Sequence, residues 1–326
     1  MIRVTFLGTS AAAPTVTRNL PSIALKRGGD LMLFDCGEGT QRQMMRFATG
    51  FDVKDVFFTH LHADHYLGII GFVRTLWMAD RKEPMHLYGP RGSARVLHQA
   101  LHLGLQGSRF PVEVHELADG EVVAREGYSV HAFRVEHRMT ALGYALVEPD
   151  RPGRFDLEKA RALGIPSGPL YGRLQRGEAI DLPDGRVVES RQVVGEPRPG
   201  RKVVISGDTR PCEATREAAR NADLLVHEAT FGDEEIDRAL QTFHSTAREA
   251  ARLAAEAGAR RLVLTHVSSR YDLDVGPLLK QARGDFPGVQ FARDGMQLEV
   301  GYADEPLEAA ATGDERPDSR PPLRSP

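Results

Sequence analysis

Cysteine is almost missing from this chain: Cys36 and Cys212 are the only two in 326 residues. Two thiols cannot build a disulfide framework, and their scarcity suits a reducing compartment. Both read as free and inert, Cys36 as a small packed side chain. Net charge is also nearly missing, at −3 for pH 7. That removes the global basic excess that usually announces a nucleic-acid binder, so any phosphate contact must come from a local patch. No apolar run approaches the ~20 residues of a membrane span. Met1–Gly8 starts directly as a strand, with no charged-then-apolar leader. The expectation is a cytoplasmic protein with no membrane partner and no obligatory protein partner.

What is there begins with a hydrophobic content of 41% and a charged content of 27%, enough to bury one large core or two. The densest chemistry lies in Thr59-His60-Leu61-His62-Ala63-Asp64-His65-Tyr66-Leu67-Gly68. Imidazole and carboxylate at this density are what borderline-soft transition metals select. His60 and His62 alternate at the end of an extended run, 55–59, and so point to one side. Asp64 and His65 follow where the chain turns into the apolar segment Leu67–Phe72. One ion can take the first pair and a second ion the next. A loop of unrelated polar residues is the bland alternative, and four ligand-type residues in register argue against it.

Along the rest of the chain, strands are expected at 2–7, 22–26, 30–34, 86–89 and 128–137, and helices at 41–48, 68–78 and 93–103. Four apolar strands, at 55–59, 202–206, 223–226 and 261–265, each run into a His or Asp, and layered α/β proteins collect their sites at such strand ends. A helix over 247–257 is closed by Gly258, with Ser245 as its expected cap. His98 and His102 share a helix face at i, i+4, but without the Glu of a His-Glu-x-x-His pattern they read as surface or packing residues. His86, His115 and His131 are expected to be structural.

Residues 149–202 break the rhythm. Eight glycines and seven prolines fall there, with eleven basic residues against eight acidic ones, a local +3 in an acidic chain. Connections this long are usually functional or disordered. The helical stretch 156–163 and the turn cluster Gly164-Ile165-Pro166-Ser167-Gly168-Pro169 point to a protruding, flexible arm. Residues 303–326 carry five prolines and no sustained apolar pattern, as in a disordered tail.

The candidate ligands are therefore His60, His62, Asp64, His65, His137, Asp208 and His266. Three protein ligands leave an open position on an ion, whereas four close it. Seven groups suit two ions bridged by Asp208, and hydrolysis is the natural chemistry for such a pair.

His-x-His-x-Asp-His with a distant His, Asp and His resembles the metallo-β-lactamase superfamily. Further motifs narrow the resemblance to the tRNase Z (ribonuclease Z) family over about residues 1 to 300. They are Phe34-Asp35-Cys36-Gly37-Glu38-Gly39-Thr40-Gln41, the Gly-Pro-containing arm, His227-Glu228-Ala229-Thr230, Phe243-His244-Ser245-Thr246, and Thr265-His266-Val267-Ser268-Ser269-Arg270-Tyr271. The resemblance implies an α/β fold, a four-layer αβ/βα sandwich of two mixed sheets flanked by helices. It would comprise a catalytic domain over 1–302 with the inserted tRNA-binding arm at about 149–202.

It further implies two Zn2+ per subunit, with Mn2+ or Co2+ as possible substitutes. One zinc would sit on His60, His62 and His137, the other on Asp64, His65 and His266, with Asp208 shared. Asp64 would accept a proton from the attacking water, and His244, oriented by Glu228, would protonate the leaving oxygen. Substrate contacts would include Arg18, Asn19, Arg270, Gly168 and Pro169, with Arg270 holding either a phosphate or the Glu228/His244 pair. The substrate would be precursor tRNA, and the enzyme a homodimer in which one subunit's arm grips the tRNA that its partner cuts.

One departure stands out: in Pro14-Thr15-Val16-Thr17-Arg18-Asn19, Val16 occupies a place where the family has lysine. Hydrolysis of small phosphodiesters or sulfate esters, and RNA binding without catalysis, are the rival readings. The arm argues against the first and the complete ligand set against the second.

Overall fold

Strands buried on both faces need apolar residues at nearly every position, because period-2 alternation sends neighbours into different layers. The computed structural model, which describes residues 1–103 and 109–304, is built on this. In chain order the first half supplies β1 (Ile2–Gly8), β2 (Ser22–Arg27), β3 (Asp30–Phe34), α1 (Thr40–Arg46), β4 (Val53–Phe57), α2 (Ala63–Tyr66), α3 (Gly68–Met78), β5 (Met85–Pro90), α4 (Ser93–His102) and β6 (Val112–Leu117). There follow β7 (Val122–Arg125), β8 (Tyr128–Arg134), β9 (Leu142–Val147), α5 (Leu157–Ala162), α6 (Pro169–Gln175), β10 (Ile180–Asp181) and β11 (Val187–Val188). The chain then runs through β12 (Lys202–Ile205), α7 (Glu213–Ala218), β13 (Leu224–Glu228), α8 (Ile236–Thr242), α9 (Ala247–Glu256), β14 (Leu262–Thr265), α10 (Gly276–Arg283), β15 (Gln290–Phe291) and β16 (Gln297–Val300).

Two mixed seven-stranded sheets result, ordered β16-β1-β2-β3-β4-β5-β6 and β15-β14-β13-β12-β9-β8-β7. They pack face to face over a core that includes Phe34, Phe57, Tyr144, Val203, Ile205 and Val263. Val204, Leu262 and Leu264, one residue out of phase, turn to the other side and meet the alanine-rich face of α9. On the far side, Leu33, Val56 and Leu87 pack against α1, α3 and α4. The order helix, sheet, sheet, helix is the expected four-layer sandwich.

A ladder of rings crosses the first sheet. Phe34, Phe57, Tyr88 and His115 are register partners on successive strands, stacked at centroid distances of 5.3, 4.8 and 4.9 Å. Each such contact adds about 0.5–1.5 kcal/mol beyond area burial. The ladder stiffens the strands that deliver the histidine motif.

Helix α9 is capped by Thr246, not Ser245. The Thr246 hydroxyl accepts from Glu249 N–H while the Glu249 carboxylate accepts from Thr246 N–H. Ser245 is instead buried and donates to the Thr209 carbonyl.

The 149–202 segment has structure of its own. Helices α5 and α6, the β10–β11 hairpin and the turns between them enclose a small core of Ala160, Ile165, Leu174, Ile180, Leu182, Val188 and Val193. Its root is fastened to the end of the catalytic sandwich. Asp304 accepts from Arg151, Arg154 and Arg198, and Tyr302 lies under Arg151 and Arg201. Asp304, expected in a disordered tail, thus belongs to the arm's root; residues 305–326 of that tail lie outside the described residues. Among the described residues no helix is long and apolar enough to cross a membrane.

Candidate metal centre

The site lies where the strand ends of the two sheets converge. Beyond β4, Thr59 is buried with its amide and hydroxyl bonded to the Asp35 carboxylate. That anchors the extended turn carrying His60 and His62, after which α2 opens and places Asp64 and His65. Gly68 ends the motif under a steric constraint: a Cβ there would lie 1.9 Å from the Gly37 carbonyl oxygen. The Phe34–Gln41 motif is therefore the wall against which the histidine motif folds. His137 comes from the turn between β8 and β9, Asp208 from the end of β12, and His266 from the end of β14.

Ligand atoms converge closely. His60 Nε2 is 2.9 Å from His62 Nδ1, and His137 Nε2 is 3.3 Å from the same atom. Asp64 Oδ2 lies 3.6 Å from His65 Nε2 and 3.7 Å from His266 Nε2. Asp208 Oδ2 sits between the groups, 3.7 Å from His60 Nε2 and 3.3 Å from both His65 Nε2 and His266 Nε2. Donors arranged around an ion at ~2.0–2.1 Å in a tetrahedral shell must stand ~3.3–3.4 Å apart. These spacings match.

The outer nitrogens fix which atom of each ring faces inward. His65 Nδ1 meets Asp35 Oδ2 at 2.8 Å, His266 Nδ1 meets Thr230 Oγ1 at 2.8 Å, His137 Nδ1 meets the Phe243 carbonyl at 3.0 Å, and His60 Nδ1 meets Thr59 Oγ1 at 3.1 Å. Backbone strain helps: Asp35, Phe243 and His266 all have φ near +60°, a conformation costing non-glycine residues about 1–2 kcal/mol each. The surrounding bonds hold them there.

Burial, with the charge of His65 next, holds His60 well below the ordinary imidazole range. His62 and His137 are also lowered, chiefly by burial. Neutral imidazole is the ligating form. His65 behaves oppositely. Burial disfavours its charge, yet Asp208 and Asp35 raise it well above the usual range. Burial would push Asp208 up, but the neighbouring His266 and His65 rings keep it well below the carboxylate range. The pocket thus favours positive charge beside His65. The buried Nε2 atoms of His65 and His266 have no hydrogen-bond partner, a costly state that coordination would relieve. Five imidazoles and two carboxylates fit a borderline divalent ion.

Beside the cluster, His244 Nδ1 lies 2.7 Å from Glu228 Oε1. Glu228 is buried and accepts from Thr209 N–H, Thr230 N–H and the Thr230 hydroxyl. Burial opposes a charge on His244, but the Glu228 carboxylate prevails and raises it to about 9.

The expected substrate contacts divide. Arg18 is only 9% exposed and donates to Thr9 Oγ1 and the Ala292 carbonyl. The Asn19 side-chain amide donates to the Glu38 carbonyl. Both are spent on holding their own loop, whose threonines 15 and 17 donate to Asp272, leaving Val16 fully exposed at the tip. Arg270 meets Ser268 and Glu235 rather than the Glu228/His244 pair. Gly168 and Pro169 lie exposed at the start of α6 in the arm.

Sequence reasoning passed over Asp35, Thr230, Asp272 and Asp294. Asp35 lies inside a motif that carried the family resemblance, which was its only signal. Asp294, which accepts from Thr9, Asn19 and Gln43, carried none.

Comparison with known proteins agrees with this geometry. Residues 20–165 match a model of the metallo-beta-lactamase superfamily, and residues 190–267 a beta-lactamase superfamily domain. A ribonuclease Z of Myxococcus xanthus is 64% identical over 93% of this chain and 99% of its own length. One of Haloferax volcanii is 56% identical over 96% and 99%. The crystal structure of the short form of human tRNase Z superposes with a TM-score of 0.66 at 29% identity, covering 92% of this chain and 99% of that one.

Proposed function

This chain belongs to the ribonuclease Z family of metallo-β-lactamase-fold hydrolases, and from that premise we propose that it cleaves 3′ trailers from precursor tRNA, leaving a 3′-hydroxyl on the tRNA and a 5′-phosphate on the trailer. The observation carrying this reading is Asp208 Oδ2, 3.3–3.7 Å from nitrogens of His60, His65 and His266, a donor placed to serve two ions at once. We assign His60, His62 and His137 to one Zn2+, Asp64, His65 and His266 to the other, and Asp208 to both; Mn2+ or Co2+ can substitute. When bound, the pair supplies Lewis acidity toward the phosphodiester and toward water.

The chain's own residues handle the protons. The Asp64 carboxylate, whose Oδ2 is held by the Ala12 N–H at 2.9 Å, takes the proton of the attacking water on its other oxygen. Glu228 engages His244 Nδ1, which leaves Nε2–H of the imidazolium for the ribose 3′-oxygen as its bond to phosphorus breaks. A positioned acid of this kind is worth about 10²–10⁴-fold. Glu228 sets the tautomer and keeps the ring charged near neutrality.

The arm supplies tRNA affinity. Arg154, Lys159, Arg176 and Arg191 line one groove on it together with Asp156, Glu158, Glu189 and Glu196, so phosphates, whose contacts dominate nucleic-acid affinity, bind there by displacing carboxylates from surface ion pairs. The family resemblance also implies a homodimer in which the arm of one subunit holds the substrate of the other, within the reducing cytoplasm that the two cysteines suit. Arg18 and Asn19 act through the loop they brace, and Arg270 meets phosphate. Incubating the full chain with a precursor tRNA and Zn2+, then mapping both ends of the cut, tests the proposal. A trailer bearing a 5′-hydroxyl, or an uncut precursor, refutes it.

A further inference from the structure

A second group of ligand-type side chains lies at the rim of the inter-sheet layer, on the edge of the first sheet. His86 stands on β5, and Glu113 and His115 stand on β6, the edge strand. Parallel pairing puts His86 opposite Glu113 and Tyr88 opposite His115, all on one face. His86 Nδ1 is 3.2 Å from His115 Nε2 and 3.3 Å from Glu113 Oε2, and His115 Nε2 is 3.7 Å from that same oxygen. The expectation that these two histidines are merely structural misses this convergence.

We propose that His86 Nδ1, Glu113 Oε2 and His115 Nε2 form a further binding site for a borderline divalent transition cation such as Zn2+, separate from the hydrolytic centre. Three arguments carry it. The triangle of 3.2, 3.3 and 3.7 Å is close to the ~3.3–3.4 Å ligand spacing of a tetrahedral ion at ~2.0–2.1 Å, and it overlaps the spacings in the hydrolytic centre. Two imidazoles and a carboxylate are a borderline ion's donor set, and one cation meets all three atoms at once. His115 is also pre-set: its ring stacks on Tyr88, whose hydroxyl accepts from Arg125 at 2.7 Å and whose ring lies on Phe57.

The site is distinct from the hydrolytic one. His86 is opposite Asp55, five residues before His60, a separation of at most about 16.5 Å at ~3.3 Å per residue. It is also weaker by construction. Among the described residues neither outer imidazole nitrogen meets a carboxylate or carbonyl, and such support is typically worth 10–100-fold in metal affinity. Three ligands on a partly exposed rim make a site that exchanges its ion and, when filled, ties the edge strand β6 to β5.

Equilibrium dialysis of the full-length protein against Zn2+, after chelator treatment and with zinc counted per chain, tests the inference. Wild type is expected to hold one zinc more at saturation than His86→Gln or His115→Gln, and that zinc should be the first removed by chelator. Glu113→Gln should weaken the same step about tenfold. Precursor-tRNA cleavage by all three variants should stay within about twofold of wild type, which also shows that they fold. His98→Gln, an exposed histidine on the neighbouring helix, should leave the zinc count unchanged. Equal counts in wild type and the two histidine variants, or an equal loss in His98→Gln, overturn the site. The difference in count does not depend on whether the protein cuts tRNA.

Discussion

In the metal centre, His60, His65, His137 and His266 each have their outer nitrogen bonded to a neighbour, and most of those neighbours are buried. In the arm, the charged side chains are bonded mainly to one another on the surface: Arg173 and Arg176 to Glu178, Arg186 to Asp184, Arg191 to Glu189. Exposed pairs of the second kind add little in water and are screened by salt, so a phosphate can displace the carboxylate at little cost. Of the first kind, His65–Asp35 is a buried ion pair, and removing one partner of such a pair costs about 3–5 kcal/mol. One region is built to keep its geometry and the other to exchange its partners.

The sharpest way to break that contrast is to remove a ligand. His62→Ala should lose both bound metal and all measurable cleavage; a variant that still cuts at the wild-type rate refutes the metal assignment. His244→Ala should keep its metal and lower kcat about 10²–10⁴-fold, since its ring touches the cluster without being needed to hold it. Metal analysis and single-turnover rates on the same sample separate the two outcomes.

A subtler change in the centre is Asp35→Asn, which leaves Thr59 a partner but weakens the acceptor behind His65. Metal affinity should fall about 10–100-fold, as read by competition with a chromogenic chelator. In the arm, Leu174→Ala removes a fully buried side chain from a core with few others. The usual loss for such a truncation is about 2–5 kcal/mol, enough to unfold so small a unit. KM for precursor tRNA should rise while hydrolysis of a small phosphodiester stays at the wild-type rate; a parallel loss of both would join the regions that the comparison separates.

The smallest effect is in pH dependence. His244 is raised to about 9, so it is protonated across the neutral range and loses its proton as pH rises through 9. Activity should fall on that alkaline limb. Glu228→Gln leaves the burial that opposes charge and removes the carboxylate that offsets it, so the limb should move to lower pH. A limb that stays in place assigns it to another group.

Much of this was legible in local pattern. The apolar strands expected at 202–206, 223–226 and 261–265 appear as β12, β13 and β14 within a few residues, because a strand buried on both faces is a continuous apolar run. Strand β16 was not legible: Gln297–Val300 joins the first sheet beside β1, almost the whole chain away, and nothing local specifies that partner. The capping box at Thr246 was readable but displaced by one residue, since Ser245 is as good a cap in isolation. Its hydroxyl is committed to Thr209 by packing.

Sequence by itself determined the donor chemistry, because His60, His62, Asp64 and His65 lie within one short segment and their residue types suit a borderline divalent ion. Sequence motifs also supplied the family, through short stretches whose spacing survives any folding. Tertiary structure alone decided which nitrogen of each imidazole faces inward, that Arg18 is spent inside the protein, and that His86 and His115 meet Glu113. Each of these depends on atoms from distant segments converging within hydrogen-bond range. Such distances are set by sheet register and layer packing, which no single stretch of sequence contains.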